Sequence, residues 1–204
     1  MIEPGVKDDG VSATSVSLLE RAKANDRDAW QSMCDLYLPL IHTWCRRAGI
    51  HSANLADLGQ EVLLAAARNL PSFQRHAVGG TFRGWLHAIA KNKIVDFFRS
   101  QGPVLAPIGG SSAQQCFAQV AFDADSADSD VDVDADKAML CNRAIELISC
   151  EFPDWYKTAF LQLVIDQRPA QEIASELGKR VSAIHNVKAR VLKRLREQFA
   201  ELLD

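Results

Sequence analysis

Phe82-Arg83-Gly84-Trp85-Leu86-His87-Ala88-Ile89-Ala90-Lys91-Asn92-Lys93-Ile94-Val95-Asp96-Phe97-Phe98-Arg99 is the stretch whose reading decides the fold. Phe82, Trp85, Leu86, Ile89 and Phe97 recur at steps of three and four, which predicts one buried stripe on a helix. Arg83, His87, Lys91, Asn92, Lys93 and Arg99 crowd the remaining positions. Between Arg75 and Arg99 five Lys/Arg stand against one Asp, a local net of +4 in a chain whose formal total is −3. A cationic helix rich in hydrogen-bond donors suits a phosphate-backbone partner. An ordinary amphipathic helix with a solvated basic face would look the same in isolation.

Upstream, Ser17-Leu18-Leu19-Glu20 fits a capping box, so a first helix is expected to start near Ser17. Asn25-Asp26 ends it and opens a longer one, in which Trp30, Met33, Tyr37, Leu40, Ile41 and Trp44 share a face. Pro39 predicts a kink there. A third helix is expected over about residues 55–69, followed by a loop from Pro71 to Gly80 and then the basic helix. These four helices predict one domain over residues 15–101, preceded by a disordered segment at 1–14.

Residues 102–136 differ in kind. Their 35 positions hold seven Asp and no Lys, Arg or Glu. Such a composition buries too little apolar surface to offset its ordering entropy, so it reads as a flexible acidic linker. Neither the glycine nor the twelfth-position Glu of a calcium loop falls in register.

Helical periodicity resumes at 137–204. Ala138, Cys141, Ala144, Ile145 and Ile148 line one expected helix, and a second follows Pro153. Glu172-Ile173-Ala174, Leu177-Gly178 and Ile184 have the spacing of a helix-turn-helix, with Ser182 as the expected N-cap of the last helix. In that helix Ile184, Val187, Val191 and Leu195 face inward. Ser182, Asn186, Ala189 and Lys193 then point outward, flanked by His185 and Arg190. From Arg168 to Arg196 eight Lys/Arg stand against two Glu. An outward face of Asn, His, Arg and Lys suits base edges and phosphates in a major groove.

The fold expected is therefore all-α: a four-helix domain and a helix-turn-helix domain on either side of the linker. With 204 residues and 48% hydrophobic content the chain can build real cores. No cationic start with an apolar core opens it, and no apolar run approaches the ~20 residues needed to span a bilayer. A cytoplasmic protein without membrane insertion is expected. The five cysteines include no Cys-x-x-Cys pair, so Cys34, Cys45 and Cys141 read as small core residues rather than metal ligands. The five histidines lack metal spacing, and neither a glycine-rich phosphate loop nor a nucleophile elbow is present. No enzyme activity, metal or cofactor is expected.

Phe82, Trp85, Leu86, Ile89, Ala90, Asn92, Asp96 and Arg99 reproduce an aromatic-x-x-Trp-Leu-x-x-Ile-Ala-x-Asn-x-x-x-Asp-x-x-Arg signature. The chain thereby resembles the second domain of bacterial RNA polymerase sigma factors of the extracytoplasmic-function type. Asp57-Leu58-Gly59-Gln60-Glu61-Val62 is similar to the core-binding segment of that family, and Val187-Lys188-Ala189-Arg190 is similar to a Val-Lys-Ser-Arg of its fourth domain, with Ala189 in place of Ser. The resemblance implies that Asp57, Gln60 and Glu61 bind core RNA polymerase. It implies that Gln74, Arg75, His76, Arg83, Lys91, Asn92 and Arg99 read and melt the minus-ten element, the loop holding a flipped base. Ser182, His185, Asn186, Arg190 and Lys193 would read the minus-thirty-five element. Core RNA polymerase, promoter DNA and an anti-sigma factor or other regulator are the implied partners. Two elements about two duplex turns apart lie roughly 70 Å from each other. A 35-residue coil averages roughly 30 Å and reaches about 115 Å fully extended, so a stretched linker covers the span. A stand-alone helix-turn-helix regulator would account for the C-terminus but leave the two upstream motifs as coincidence.

Overall fold

The structure, a computed structural model, describes residues 17–74, 80–101 and 130–203. Among these residues every regular element is helical. Four helices form the N-terminal half: α1 (Leu18–Lys23), α2 (Arg27–Arg47), α3 (Ser52–Asn69) and α4 (Phe82–Ser100). Four more follow: α5 (Asp130–Ser149), α6 (Trp155–Val164), α7 (Ala170–Glu176) and α8 (Val181–Phe199). The expected disordered segment 1–14 lies outside the described residues.

The starts are set by local chemistry. The Ser17 hydroxyl accepts from the Glu20 amide, as the capping box requires. Asn25 ends α1 in the left-handed region at φ 61°, and the Asp26 carboxylate then caps α2 by accepting from the amides of Asp28 and Ala29. Those amide donors, with the Arg21 guanidinium beside them, hold the Asp26 carboxyl below its ordinary range. Thr81 caps α4 through the Gly84 amide. α2 continues as one helix through Pro39, and the Thr43 hydroxyl donates to the Pro39 carbonyl.

α2 is the central pillar. Met33, Leu36, Tyr37, Leu40, Ile41 and Trp44 are all buried along it, with α1, α3 and α4 packed around them. Gly59 sits where α3 crosses α2: a Cβ built there would lie 2.8 Å from His42 Nε2 and 3.1 Å from a Leu38 methyl. The absent side chain is what lets the two helices meet. Burial beneath this crossing, with the Arg46 charge as a lesser cause, pushes the His42 imidazole below its ordinary value.

On α4 the fully buried line is Phe82, Leu86, Ala90 and Ile94. Trp85, Ile89 and Phe97, placed on the same stripe by sequence, are only partly covered. Phe73 is buried, and its ring packs against Phe82 and Trp85 with centroids 5.3 and 5.0 Å apart.

In the C-terminal half, α7 ends on a Schellman turn. Gly178 adopts φ +61°, and the Lys179 amide donates back to the Ala174 carbonyl at 2.9 Å. α8 follows at once, so α7 and α8 make the expected helix-turn-helix. Ser182 is not its N-cap: the helix begins at Val181, behind Arg180, without a side-chain cap. Ile184, Val187 and Val191 are buried on its inner face, Leu195 is partly covered, and Phe199 ends the line.

Two expectations about the middle of the chain are corrected. α5 begins at Asp130, so the last seven residues assigned to the linker, 130–136, are helical. The buried line of α5 is Asp136, Leu140, Ala144, Ile145 and Ile148, while Ala138 and Cys141 are exposed. Period-3.6 patterning admits either face when the residues are small, and a Leu wins the interior over Ala and Cys. Of the other cysteines, Cys45 is buried and Cys34 half-buried, and burial raises both thiols to about 11. Residues 102–129 lie outside the described residues.

The two halves do not stand apart. α5 packs along α2, and buried side chains of both halves form one continuous apolar core. At the far end the Tyr37 hydroxyl donates to the Leu202 carbonyl at 2.5 Å, a buried hydrogen bond between residues 165 positions apart.

Candidate functional site

Three surfaces carry the residues that the sequence singles out. The first is the outer face of α3. Asp57, Gln60 and Glu61 are all exposed, because Leu55, Leu58, Val62 and Leu63 take the inner positions. On a 3.6-residue helix Asp57, Glu61 and residue 64 fall in one line. Residue 64 is a leucine with 55% of its surface exposed. Sequence reading missed Leu64, although its spacing of seven from Asp57 was the available signal. Glu61 reaches Lys93 of α4 at 3.7 Å, tying this face to the basic helix. Two carboxylates, an amide and an uncovered leucine on rigid helix make a surface that can seat another protein.

The second surface is α4 with the segment before it. Gln74 is exposed, and Arg75 and His76 lie outside the described residues. Asn92 and Arg99, seven residues apart on the helix, share its exposed side, and Lys91 is half-buried beside them. Asp96 stands between and approaches Arg99 at 3.7 Å. Arg83 does not belong to this surface. Only 6% exposed, it points into the interface with α5, where its guanidinium lies 3.5 Å from the Asp136 carboxylate. The sequence placed Arg83 opposite the apolar stripe, but the space it faces is filled by another helix rather than by water.

The third surface is the outer face of α8. Ser182, His185, Asn186, Arg190 and Lys193 are all exposed, as is Ala189 among them. The face is held in place from behind. Arg190 donates to the Tyr156 hydroxyl at 3.0 Å, and Lys179 in the turn lies over the Trp155 ring, 5.2 Å from its centroid. Not every cation in the segment serves this face. Arg194 makes a bidentate pair with Glu151, which raises the Arg194 pKa above its ordinary value. Arg168 is clamped by Glu176 and lies 3.7 Å from Glu172. Those two arginines are engaged by carboxylates, so the outward positive charge comes chiefly from Lys179, Arg180, Lys188, Arg190, Lys193 and Arg196. A cationic, amide-bearing helix behind a tight turn can enter a major groove.

Among the described residues no group of three or more His, Cys, Asp or Glu is arranged to hold a metal ion. Within the same residues no helix is long and apolar enough to cross a membrane.

Comparisons with known proteins agree on one kind of relative. Residues 33–104, which span most of α2, all of α3 and all of α4, match the family model described as sigma-70 region 2. The chain is similar to the ECF RNA polymerase sigma factor SigW of Bacillus subtilis (strain 168), at 26% identity over 189 residues, 90% of this chain and 96% of the relative. It is 33% identical over 92 residues to the ECF RNA polymerase sigma factor BldN of Streptomyces coelicolor, covering 45% of this chain and 34% of that protein. A probable RNA polymerase sigma factor of Haemophilus influenzae is 44% identical over 54 residues, 26% of each chain.

Proposed function

We propose that the chain is an RNA polymerase sigma factor of the extracytoplasmic-function type, a reading supported by its match to sigma-70 region 2 over residues 33–104 and its likeness to SigW, and that it divides the work of transcription initiation among three surfaces. The outer face of α3, with Asp57, Gln60, Glu61 and Leu64, docks on core RNA polymerase. The α4 side, with Gln74, Arg75, His76, Lys91, Asn92 and Arg99, reads the minus-ten element and holds the strands apart. The outer face of α8 reads the minus-thirty-five element through Asn186 and His185, with Ser182, Arg190 and Lys193 on the backbone. The protein acts in the cytoplasm, and an anti-sigma factor or other regulator restrains it.

The observation that carries this reading is the α3 face: two carboxylates and an exposed leucine in one line, within the residues matched by the region 2 family. Leu64 stands 55% uncovered beside those carboxylates, an apolar group at the centre of a polar face that a partner would cover. The test is co-purification with core RNA polymerase, followed by transcription from a randomised promoter library. The proposal expects a stable complex and enrichment of two spaced motifs. A single enriched motif, bound without polymerase, would instead indicate a stand-alone regulator.

Lys193 offers a quantitative check on α8. Its side chain is 78% exposed and pairs with Glu197 at 3.8 Å, a pair of little energetic weight. Lys193→Ala should weaken DNA binding about equally for all sequences and flatten the logarithmic salt slope by about 0.9, one phosphate's worth. Filter binding of promoter duplexes by the complex with core RNA polymerase, across a salt series, measures this. An unchanged slope would remove Lys193 from the interface.

A further inference from the structure

We propose that Trp155 and Tyr156, neighbours at the start of α6, are positioning residues that hold Lys179 and Arg190 ready for two phosphates of the minus-thirty-five element without cancelling their charge. This inference rests on the α8 face being a DNA reader, as proposed above.

The cations around α8 fall into two kinds according to the partner that holds them. Arg194 is engaged by Glu151, and Arg168 by Glu176. A carboxylate fixes a guanidinium but also neutralises it, so neither arginine offers a phosphate a full positive charge. The partners of Lys179 and Arg190 are uncharged rings. Lys179 Nζ lies over the face of Trp155, 5.2 Å from the ring centroid. Arg190 Nη1 donates to the Tyr156 hydroxyl at 3.0 Å. An indole face attracts an ammonium through its quadrupole, and a hydroxyl oxygen accepts one N–H. Both contacts hold a cation and leave its charge intact. Arg190 keeps its other N–H donors, and the Lys179 ammonium keeps all of its own.

The rings are themselves fixed. Tyr156 is 7% exposed. Its ring stacks on Phe152 with centroids 5.2 Å apart and 10° between the planes, and it meets Trp155 edge-on at 4.5 Å. A ring packed on two sides, with few torsions of its own, is a rigid support. Lysine and arginine side chains are the opposite, because each loses much rotamer freedom when it is pinned to a phosphate. A side chain already pinned in the free protein bears that cost on folding, and DNA binding is tighter by the same amount.

The placement suits two backbone contacts. Arg190 stands exposed at the margin of the outward face whose centre carries Asn186 and Ala189, and Lys179 stands exposed in the turn before α8. Val181 and Arg190 are about 13 Å apart along the helix axis. The clamp therefore sets one positive group at each end of the segment that enters the groove. Contacts to phosphates fix the register in which the base-reading side chains work.

Tyr156→Phe keeps the ring and removes the hydroxyl. In the full chain, bound to core RNA polymerase, it should bind promoter duplex about threefold more weakly than wild type. The logarithmic salt slope should not change, since Arg190 still meets its phosphate, and helicity and melting temperature should stay near wild type. Arg190→Ala should lower the slope by about 0.9. Adding Tyr156→Phe to it should weaken binding no further, because the hydroxyl acts through Arg190. Trp155→Leu should relate to Lys179→Ala in the same way, and it carries the test if Tyr156→Phe fails to fold. Wild-type binding by Tyr156→Phe, with weak binding by Arg190→Ala, would overturn the clamp and leave the α8 reader standing. Equal losses from Tyr156→Phe with and without Arg190 would also overturn it, since a merely structural role gives that result. Wild-type binding by both Arg190→Ala and Lys179→Ala would strike the α8 reader proposed above, and the clamp with it.

Discussion

Replacing Gln60 with Ala and Glu61 with Lys together should weaken binding to core RNA polymerase by about 30-fold or more. Truncating one side of a hydrogen-bonded charge contact at an interface costs about 2–5 kcal/mol, and 2 kcal/mol is about 30-fold in affinity. The fold should tolerate the change. Both side chains are exposed, and the Glu61–Lys93 approach of 3.7 Å is a surface pair worth little. Helicity and melting temperature should therefore stay near wild type while a pull-down on core polymerase loses the protein. Unchanged pull-down with both substitutions in place would mean that the α3 face is not the docking surface.

A second large effect is expected from Ile184→Asp. Ile184 is wholly buried on the inner face of α8, where α8 packs against α6 and α7. Among the described residues the buried cation is Arg83, in the other half of the chain, and an unpaired buried charge costs about 3–5 kcal/mol. The helix-turn-helix should come apart, and transcription that depends on the upstream element should fall to background. Docking through α3 should survive, because Asp57, Gln60, Glu61 and Leu64 lie in the other half. In vitro transcription on a minus-thirty-five-dependent promoter, alongside the same pull-down, separates the two. Retained upstream-dependent transcription would remove α8 from the reading of that element.

These two cases show what the sequence made legible. The periodicity of Phe82–Arg99, the caps at Ser17 and Asp26 and the turn at Gly178 are local. Each depends on residues within a few positions, so patterning finds it. The exposure of Asp57, Gln60 and Glu61 follows from Leu58 and Val62 turning inward on the same helix. Asp136 was illegible for the opposite reason. It ends a run of alternating aspartates that reads as a solvated spacer, and its partners Trp44 and Arg47 stand 92 and 89 residues away. Nothing local predicts that a charged residue will take an interior position. Arg83 failed with it, since a helix face that looks solvent-directed from its own sequence is covered by α5. The inward line of α5 was misassigned because the register was counted from Ala138, after the helix had already begun at Asp130.

The central claim is that this chain makes core RNA polymerase open a specific promoter. Permanganate footprinting tests it most directly, on a duplex promoter selected from the library, with polymerase and chain added singly and together. The account predicts reactive, unpaired thymines within the minus-ten element only when both are present. Protection of the duplex by the chain alone, with no reactive thymines after polymerase is added, would contradict it.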